Sequence, residues 1–226
     1  DNTQGPAIQN GYSAYYGQSI AIYNSIFDNN TNNGGLLLKK GGAIMNTRGS
    51  MYIQNSTFKE NSSDNGGAIF NDHGYISVWN SHFTDNSSLA SGGAIYNDVQ
   101  SSLAVLYSAF TGNVSSFSGG AIENNEYATI RESTFTGNSA RYGGGISTHT
   151  TAGSNSDLTI HNCTFSDNYG TESGSDIITD KTSVTITSST FRNTVALSGS
   201  SLWADGKMYL AQTLLASSNP GFSNCA

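Results

Sequence analysis

Four tetrapeptides decide the reading of this chain: Gly41-Gly42-Ala43-Ile44, Gly66-Gly67-Ala68-Ile69, Gly92-Gly93-Ala94-Ile95 and Gly119-Gly120-Ala121-Ile122. The block decays to Gly143-Gly144-Gly145-Ile146, and then to Gly174-Ser175-Asp176-Ile177 and Gly199-Ser200-Ser201-Leu202. Its steps are 25, 26, 27, 24, 31 and 25 residues. Self-similarity at such a period is the signature of a repeat architecture.

A second element keeps the same period. Phenylalanine is followed three residues later by asparagine in Phe27–Asn30, Phe58–Asn61, Phe83–Asn86, Phe110–Asn113, Phe135–Asn138 and Phe165–Asn168. Phe191 continues the column but is followed by Thr194, and Leu215 stands where an eighth Phe is expected. Seven and five residues before each Phe are apolar pairs such as Ile20 and Ile22, Met51 and Ile53, Leu103 and Val105, and Val184 and Ile186. Period-two alternation marks half-buried strands. Asn24, Asn55, Asn80 and Asn162 stand three residues before Phe, at a predicted left-handed bend. Asn46, Asn71, Asn97 and Asn124 stand two residues after the Ile of the glycine block. Stacked, each set predicts an asparagine ladder.

A 25-residue repeat of short strands and bends, with no helix-period stretch, predicts an all-β fold. The expectation is a single right-handed parallel β-helix of about eight coils, each of roughly 25 residues. Residues 1–16 read as an N-terminal lead or cap, 17–215 as coils and 216–226 as a tail. One coil cannot bury its own apolar face, so stacking at about 4.8 Å supplies both pairing and core.

The alternating pair of motifs resembles the repeats of chlamydial polymorphic outer-membrane proteins, and is similar to adhesin-like β-helix proteins of methanogenic archaea and other microbes. The resemblance covers roughly residues 17–215. It implies a right-handed β-helix, surface exposure and adhesion, although no stretch reads as a translocating barrel.

Composition fits this reading. Of 226 residues, 36% are hydrophobic and 11% charged, with 26 Gly and 2 Pro, as a narrow core and many turns require. A net charge of -7 argues against a nucleic-acid partner, which wants clustered Lys and Arg. No apolar run is long enough to span a bilayer as a helix. The chain begins at Asp1 and reads as a processed or excised segment. Cys163 and Cys225 make no metal site; they either pair in an oxidising compartment or remain two thiols.

Catalysis on a β-helix, as in pectate-lyase-like enzymes, would need clustered carboxylates with a cation. Asp72 with Asp98, and Asp180 with Asp205, are the acids that stacking brings to neighbouring coils, with Lys181 and Lys207 beside the second pair. Glu60 and Asp85 form another such pair. Asp also favours solvated turns, and the four histidines occupy different repeat positions, so no catalytic residue, metal or cofactor is assigned. An outward column is the better candidate. If Ile44, Ile69 and Ile95 point inward, Met45, Phe70 and Tyr96 point outward, in line with Trp203 further along. Trp79 belongs to a second outward column with Tyr23, Gln54 and Leu106. Exposed apolar stripes of this kind mark contacts with protein or glycan, unless a loop or long side chain covers them. Among six Asn-x-Ser/Thr sequons, Asn61, Asn86 and Asn113 share one column and read as glycan acceptors, with Asn55 and Asn162 placed in the inner ladder. Threonines flanking the Phe column leave ice binding as a further alternative, interrupted by Lys59, His82 and Arg192. The function expected is a non-enzymatic extracellular or cell-surface adhesive or structural module, with partners on a surface or in end-to-end or lateral self-stacking. A polysaccharide-active enzyme and an ice- or glycan-binding protein are the alternatives.

Overall fold

The structure is a computed structural model, and it describes residues 5–11, 18–32, 39–149, 157–193 and 200–217. Every regular element among them is a strand, and the strands pair in parallel from coil to coil, with register shifts at Ser88/Ser91, Ala140/Tyr142 and Asp180/Ser183. Ile44 pairs with Ile69 and Ile69 with Ile95; Phe58 pairs with Phe83 and Phe83 with Phe110. The predicted parallel β-solenoid is therefore observed.

Two strand columns share one 14-stranded sheet, joined where strand Ile177–Thr187 runs through both. The Phe column forms an eight-stranded sheet, and a five-stranded sheet closes the remaining side. Single bridges at Thr31 and Lys40 extend that last side by one rung. Among the described residues, complete turns thus number about six rather than the eight expected, because fewer closing strands than Phe strands lie among them. The stack also starts earlier than residue 17. Strand Ile8–Asn10, assigned to the lead, pairs with strand Ile44–Thr47 and supplies Ile8 and Asn10 to the Ile and Asn columns.

Left-handed corners shape each turn. Where Asn was expected to adopt positive φ it does, at Asn24, Asn55, Asn80 and Asn162, and Tyr107, Glu132, Ser188 and Gln212 take the same corner on other rungs. The first glycine of the block is also left-handed on each described rung, from Gly41 (φ 67°) to Gly174 (φ 61°). The second meets the next coil: a Cβ on Gly93 would collide with the carbonyl oxygen of Gly120. A further corner follows Phe by two residues, at Glu60, Asp85, Gly112, Gly137 and Asp167. This corner interrupts the in–out alternation, so the Asn three residues after Phe points inward.

The interior is a set of side-chain stacks. Phe27, Phe58, Phe83, Phe110, Phe135, Phe165 and Phe191 form one continuous pile, with centroids 4.7–4.8 Å apart and planes within 7° of parallel. Two buried asparagine ladders flank it. Along Asn10, Asn46, Asn71, Asn97 and Asn124, each Nδ2 as far as that of Asn97 donates to the next Oδ1 at 2.8–2.9 Å. Along Asn30, Asn61, Asn86, Asn113, Asn138 and Asn168, each Nδ2 as far as that of Asn138 does the same at 2.9 Å, and from Asn61 onward each also donates to a phenylalanine carbonyl of the preceding coil. A serine ladder runs through Ser56, Ser81, Ser108 and Ser133, each backbone N–H donating to the next hydroxyl at 3.1 Å. An amide or hydroxyl is both donor and acceptor, so a column of either satisfies itself indefinitely.

The Phe-linked ladder ends at a substitution. Asn168 lacks a following Asn, since Thr194 stands there in sequence, and its Nδ2 donates instead to Asp176 Oδ1 at 2.8 Å. Asp176 replaces the Ala of the glycine block and is fully buried, and its Oδ2 finds no partner. Burial pushes its carboxyl up to about 7, against the opposing hydrogen bonds from Asn168 and Ser201.

Two outcomes follow. Asn86→Ala removes a buried rung and orphans its neighbours, so unfolding should ease by about 2–4 kcal/mol, against less than about 1 kcal/mol for the exposed Asn55→Ala; denaturant midpoints compare them. Because the folded Asp176 carboxyl titrates near 7 and the unfolded one near 4, the native state binds the extra proton between those values, and its stability falls as pH rises through that window. Asp176→Asn should remove on the order of 3 kcal/mol of that loss. The variant should match the parent near pH 4 and exceed it at pH 8 in chemical denaturation.

Candidate functional site

The outward column of the first strand is continuous: Met45 pairs with Phe70, Phe70 with Tyr96, Tyr96 with Glu123, Glu123 with Ser147, Ser147 with Ile178 and Ile178 with Trp203. Its first half is not the open apolar patch expected. Phe70 is 1% exposed. Its ring stacks on Tyr96 at 5.0 Å, and the Lys40 ammonium lies 4.3 Å from its centroid, a cation–π cover. Met45 and Tyr96 are half-buried, and the Tyr96 hydroxyl accepts a 2.8 Å hydrogen bond from Asn125. Burial and the Glu123 and Asp98 carboxylates hold that hydroxyl well above its usual range. Trp79 and Trp203 are also half-buried; Trp79 packs on Tyr107 at 4.8 Å.

Exposed aromatic surface gathers instead on the second strand and its corners. Tyr23, Tyr52, Tyr75, Tyr107 and Tyr127 are each 37% exposed or more. Tyr75 and Tyr127 flank Ser102 in register, so two rings stand two rungs apart with a small residue between them. Beside them runs a groove of about 550 Å³, bordered by Arg48, His73, Gln100 and Glu126 as well as the two tyrosines. Arg48, His73 and Gln100 occupy the left-handed corner between the first and second strands, which turns their side chains out along the groove. Glu126 accepts the Gln100 N–H at 3.2 Å. Tyr23 belongs to the outward column expected from the sequence, whereas Tyr52, Tyr75 and Tyr127 stand at outward positions that the pattern of inward residues does not single out. The signal was the position between each apolar pair and the one before it.

The paired acids stand on adjacent rungs, and Asp72, Asp98 and Asp180 each have a neighbouring basic group. Asp72 contacts His73 at 2.5 Å, Asp98 lies 4.0 Å from Lys40, and Asp180, in register with Asp205, lies 4.0 Å from Lys181. Among the described residues, no group of three or more His, Cys, Asp or Glu is gathered to hold a metal ion. None of the helices required for a helical membrane span is present among them either. Cys163 is buried and free among the described residues, filling a place in the serine ladder and donating to the His161 carbonyl. Burial pushes its thiol up to about 11. Its expected alternative partner, Cys225, lies outside the described residues.

The glycan acceptors need correction. Asn61, Asn86 and Asn113 are fully buried in the ladder beneath the Phe corner, because the left-handed residue before each resets the alternation. Asn55 and Asn162, assigned to the interior, are exposed, as is Asn29. Expression in a glycosylating host should therefore modify only Asn29, Asn55 and Asn162, and peptide mass spectrometry should find Asn61, Asn86 and Asn113 bare.

Comparison with known proteins agrees with the repeat geometry. Neither a curated protein nor a solved structure matches the chain. The family model described as the Chlamydia polymorphic membrane protein repeat matches residues 55–72, 80–98 and 132–149. The first two segments each run from the Asn corner through the Phe strand and the glycine block to the residue after the Asn of the first strand. The third covers the same stretch with Glu132 at the corner. This protein is thus a parallel β-solenoid, three segments of which are similar to the Chlamydia polymorphic membrane protein repeat.

Proposed function

We propose that this chain is a non-enzymatic cell-surface module whose solenoid is a rigid support for an adhesive face. One observation carries the reading: the residues that recur every turn are consumed inside the coil. Phenylalanines, ladder asparagines, ladder serines and glycines face the core or the next backbone. Chemistry with a partner is left to outward positions that change from rung to rung. The polymorphic membrane protein repeats support a surface location.

The contact face is the tyrosine-lined groove, and a surface glycan is the partner that suits it. Tyrosine rings offer flat apolar faces for sugar C–H groups with a hydroxyl at the rim, and the polar side chains of Arg48, His73 and Gln100 border the same groove. Two rungs separate Tyr75 from Tyr127, roughly 10 Å at the spacing of paired strands. That interval fits an extended saccharide lying along the solenoid axis.

A glycan array probed with the purified chain, alongside Tyr75→Ser and Tyr127→Ser, tests this. Binding to a restricted set of glycans should fall at least about fivefold in each variant with the fold retained by circular dichroism. Cleavage of any bound polysaccharide would replace the adhesive reading with the enzymatic one. Glycan binding indifferent to both substitutions would remove the groove from it.

A further inference from the structure

On the far half of the outward column, large side chains give way to small ones. Tyr96 is followed by Glu123 and Ser147, and the column rises again through Ile178 to Trp203. The depression so formed is a pocket of about 270 Å³, with Glu123 and Ser147 at one end, Ile178 and Trp203 at the other, and Phe117 and Tyr142 as its side wall. Phe117 and Tyr142 support one another edge to face at 5.4 Å. The Tyr142 hydroxyl donates to Glu172, which also pairs with Arg141 at 2.6 Å, so the wall is braced from outside the cavity.

Glu123 is the anomaly of this pocket. Its side chain is 4% exposed, and its Oε2 is buried with no hydrogen-bond partner. Only the hydroxyl-bearing Ser118 and Ser147 assist the carboxyl, and burial pushes it up to about 7. A lone carboxylate beneath aromatic rings is costly unless something positive arrives to pair with it. No Lys or Arg lines the cavity; His149 and the half-buried Asp180 stand at its edge. On the preceding rung are Tyr96 and Asp98, and Lys40 there is engaged with Asp98 and the Phe70 ring. Arg141 is held against Glu172 and the outer wall, 5.3 Å from the Tyr142 ring centroid. Among the described residues, every local cation is thus engaged elsewhere or absent from the lining.

We infer that the Glu123 pocket binds a small organic cation, an alkylated or quaternary ammonium group seated between the Glu123 carboxylate and the faces of Tyr142, Phe117 and Trp203. Aromatic faces attract a desolvated cation through their quadrupoles, and a quaternary ammonium asks for no hydrogen-bond acceptors that this mainly apolar lining lacks. Ile178 and the ring faces of Phe117 and Trp203 offer the hydroxyls of a neutral sugar no partner. At about 270 Å³ the cavity is below the usual range for drug-sized ligands, which restricts it to a head group or a small molecule. The site is separate from the tyrosine-lined groove, and shares no lining residue with it.

Calorimetric or NMR titration of the 226-residue chain with choline, with its uncharged carbon isostere 3,3-dimethylbutanol, and with methyl glucoside tests the assignment. Choline should bind at least about tenfold more tightly than either neutral probe. Its charge does not titrate, so affinity should rise with pH through about 7 as Glu123 ionises. Glu123→Gln keeps the shape without the charge; it should weaken choline about tenfold and flatten this pH dependence. Trp203→Ala should weaken choline without altering the pH profile. Equal binding of choline and its isostere, preference for the glucoside, no binding of choline, or an unchanged pH profile in Glu123→Gln would each overturn the proposal. Loss of glycan binding in the tyrosine variants would leave it untouched.

Discussion

The spacing between paired strands governs this molecule. Each coil lies one strand width from the next, and the aromatic centroids repeat at 4.7–4.8 Å because the backbones do. A side chain that occupies the same place on every rung must therefore be compatible with a copy of itself at that distance. Few residue types are. A phenyl ring stacks flat, an asparagine amide gives one hydrogen bond upward and takes one from below, a serine hydroxyl does the same with the backbone, and glycine allows two chains to touch. Charged residues are not self-compatible at this interval, which is why so few recur in register. The composition of the chain, rich in Gly, Asn and Ser and poor in Lys and Glu, is a consequence of stacking rather than of any partner.

Breaks in the ladders are repaired by whatever supplies the missing atom. Asp176 takes the place of an absent asparagine acceptor below Asn168, Thr148 continues the column above Asn124 with a longer 3.4 Å contact, and Cys163 stands in the serine column. These repairs are imperfect: Asp176 retains an unpartnered oxygen, and burial raises its carboxyl. Glu123 is a buried acid of a different kind, on the outer face of the sheet and not needed by any ladder. One acid completes the scaffold, and the other faces a cavity with room for something else.

The scaffold and the surfaces differ in how they use repetition. Inward columns are uniform, which gives a stiff rod at low sequence cost. Outward columns vary, so neighbouring rungs create steps: the Tyr–Ser–Tyr interval at Tyr75, Ser102 and Tyr127, and the fall from Tyr96 to Ser147 before the rise to Trp203. Grooves and pockets on such a protein are made where the repeat is broken, and their linings come from residues far apart in sequence. Phe117 and Trp203, for example, line one cavity although 86 positions separate them.

Periodicity alone determined the architecture. The glycine blocks, the Phe column and the apolar pairs specified the parallel stacking, the left-handed Asn corner, the register, and the Asn46-to-Asn124 ladder. Each follows from residues meeting their own kind one turn later. What periodicity cannot give is the direction of a side chain beyond a corner that interrupts alternation. Glu60 and Asp85 carry ordinary side chains yet adopt left-handed geometry, and so Asn61 and Asn86 are inside while Asn55 is outside. Nor does it say what lies over an outward residue: Phe70 is covered by Lys40, from a different corner of the coil. Burial at those positions depends on contacts across the turn, and only the folded coil brings the contacting atoms together.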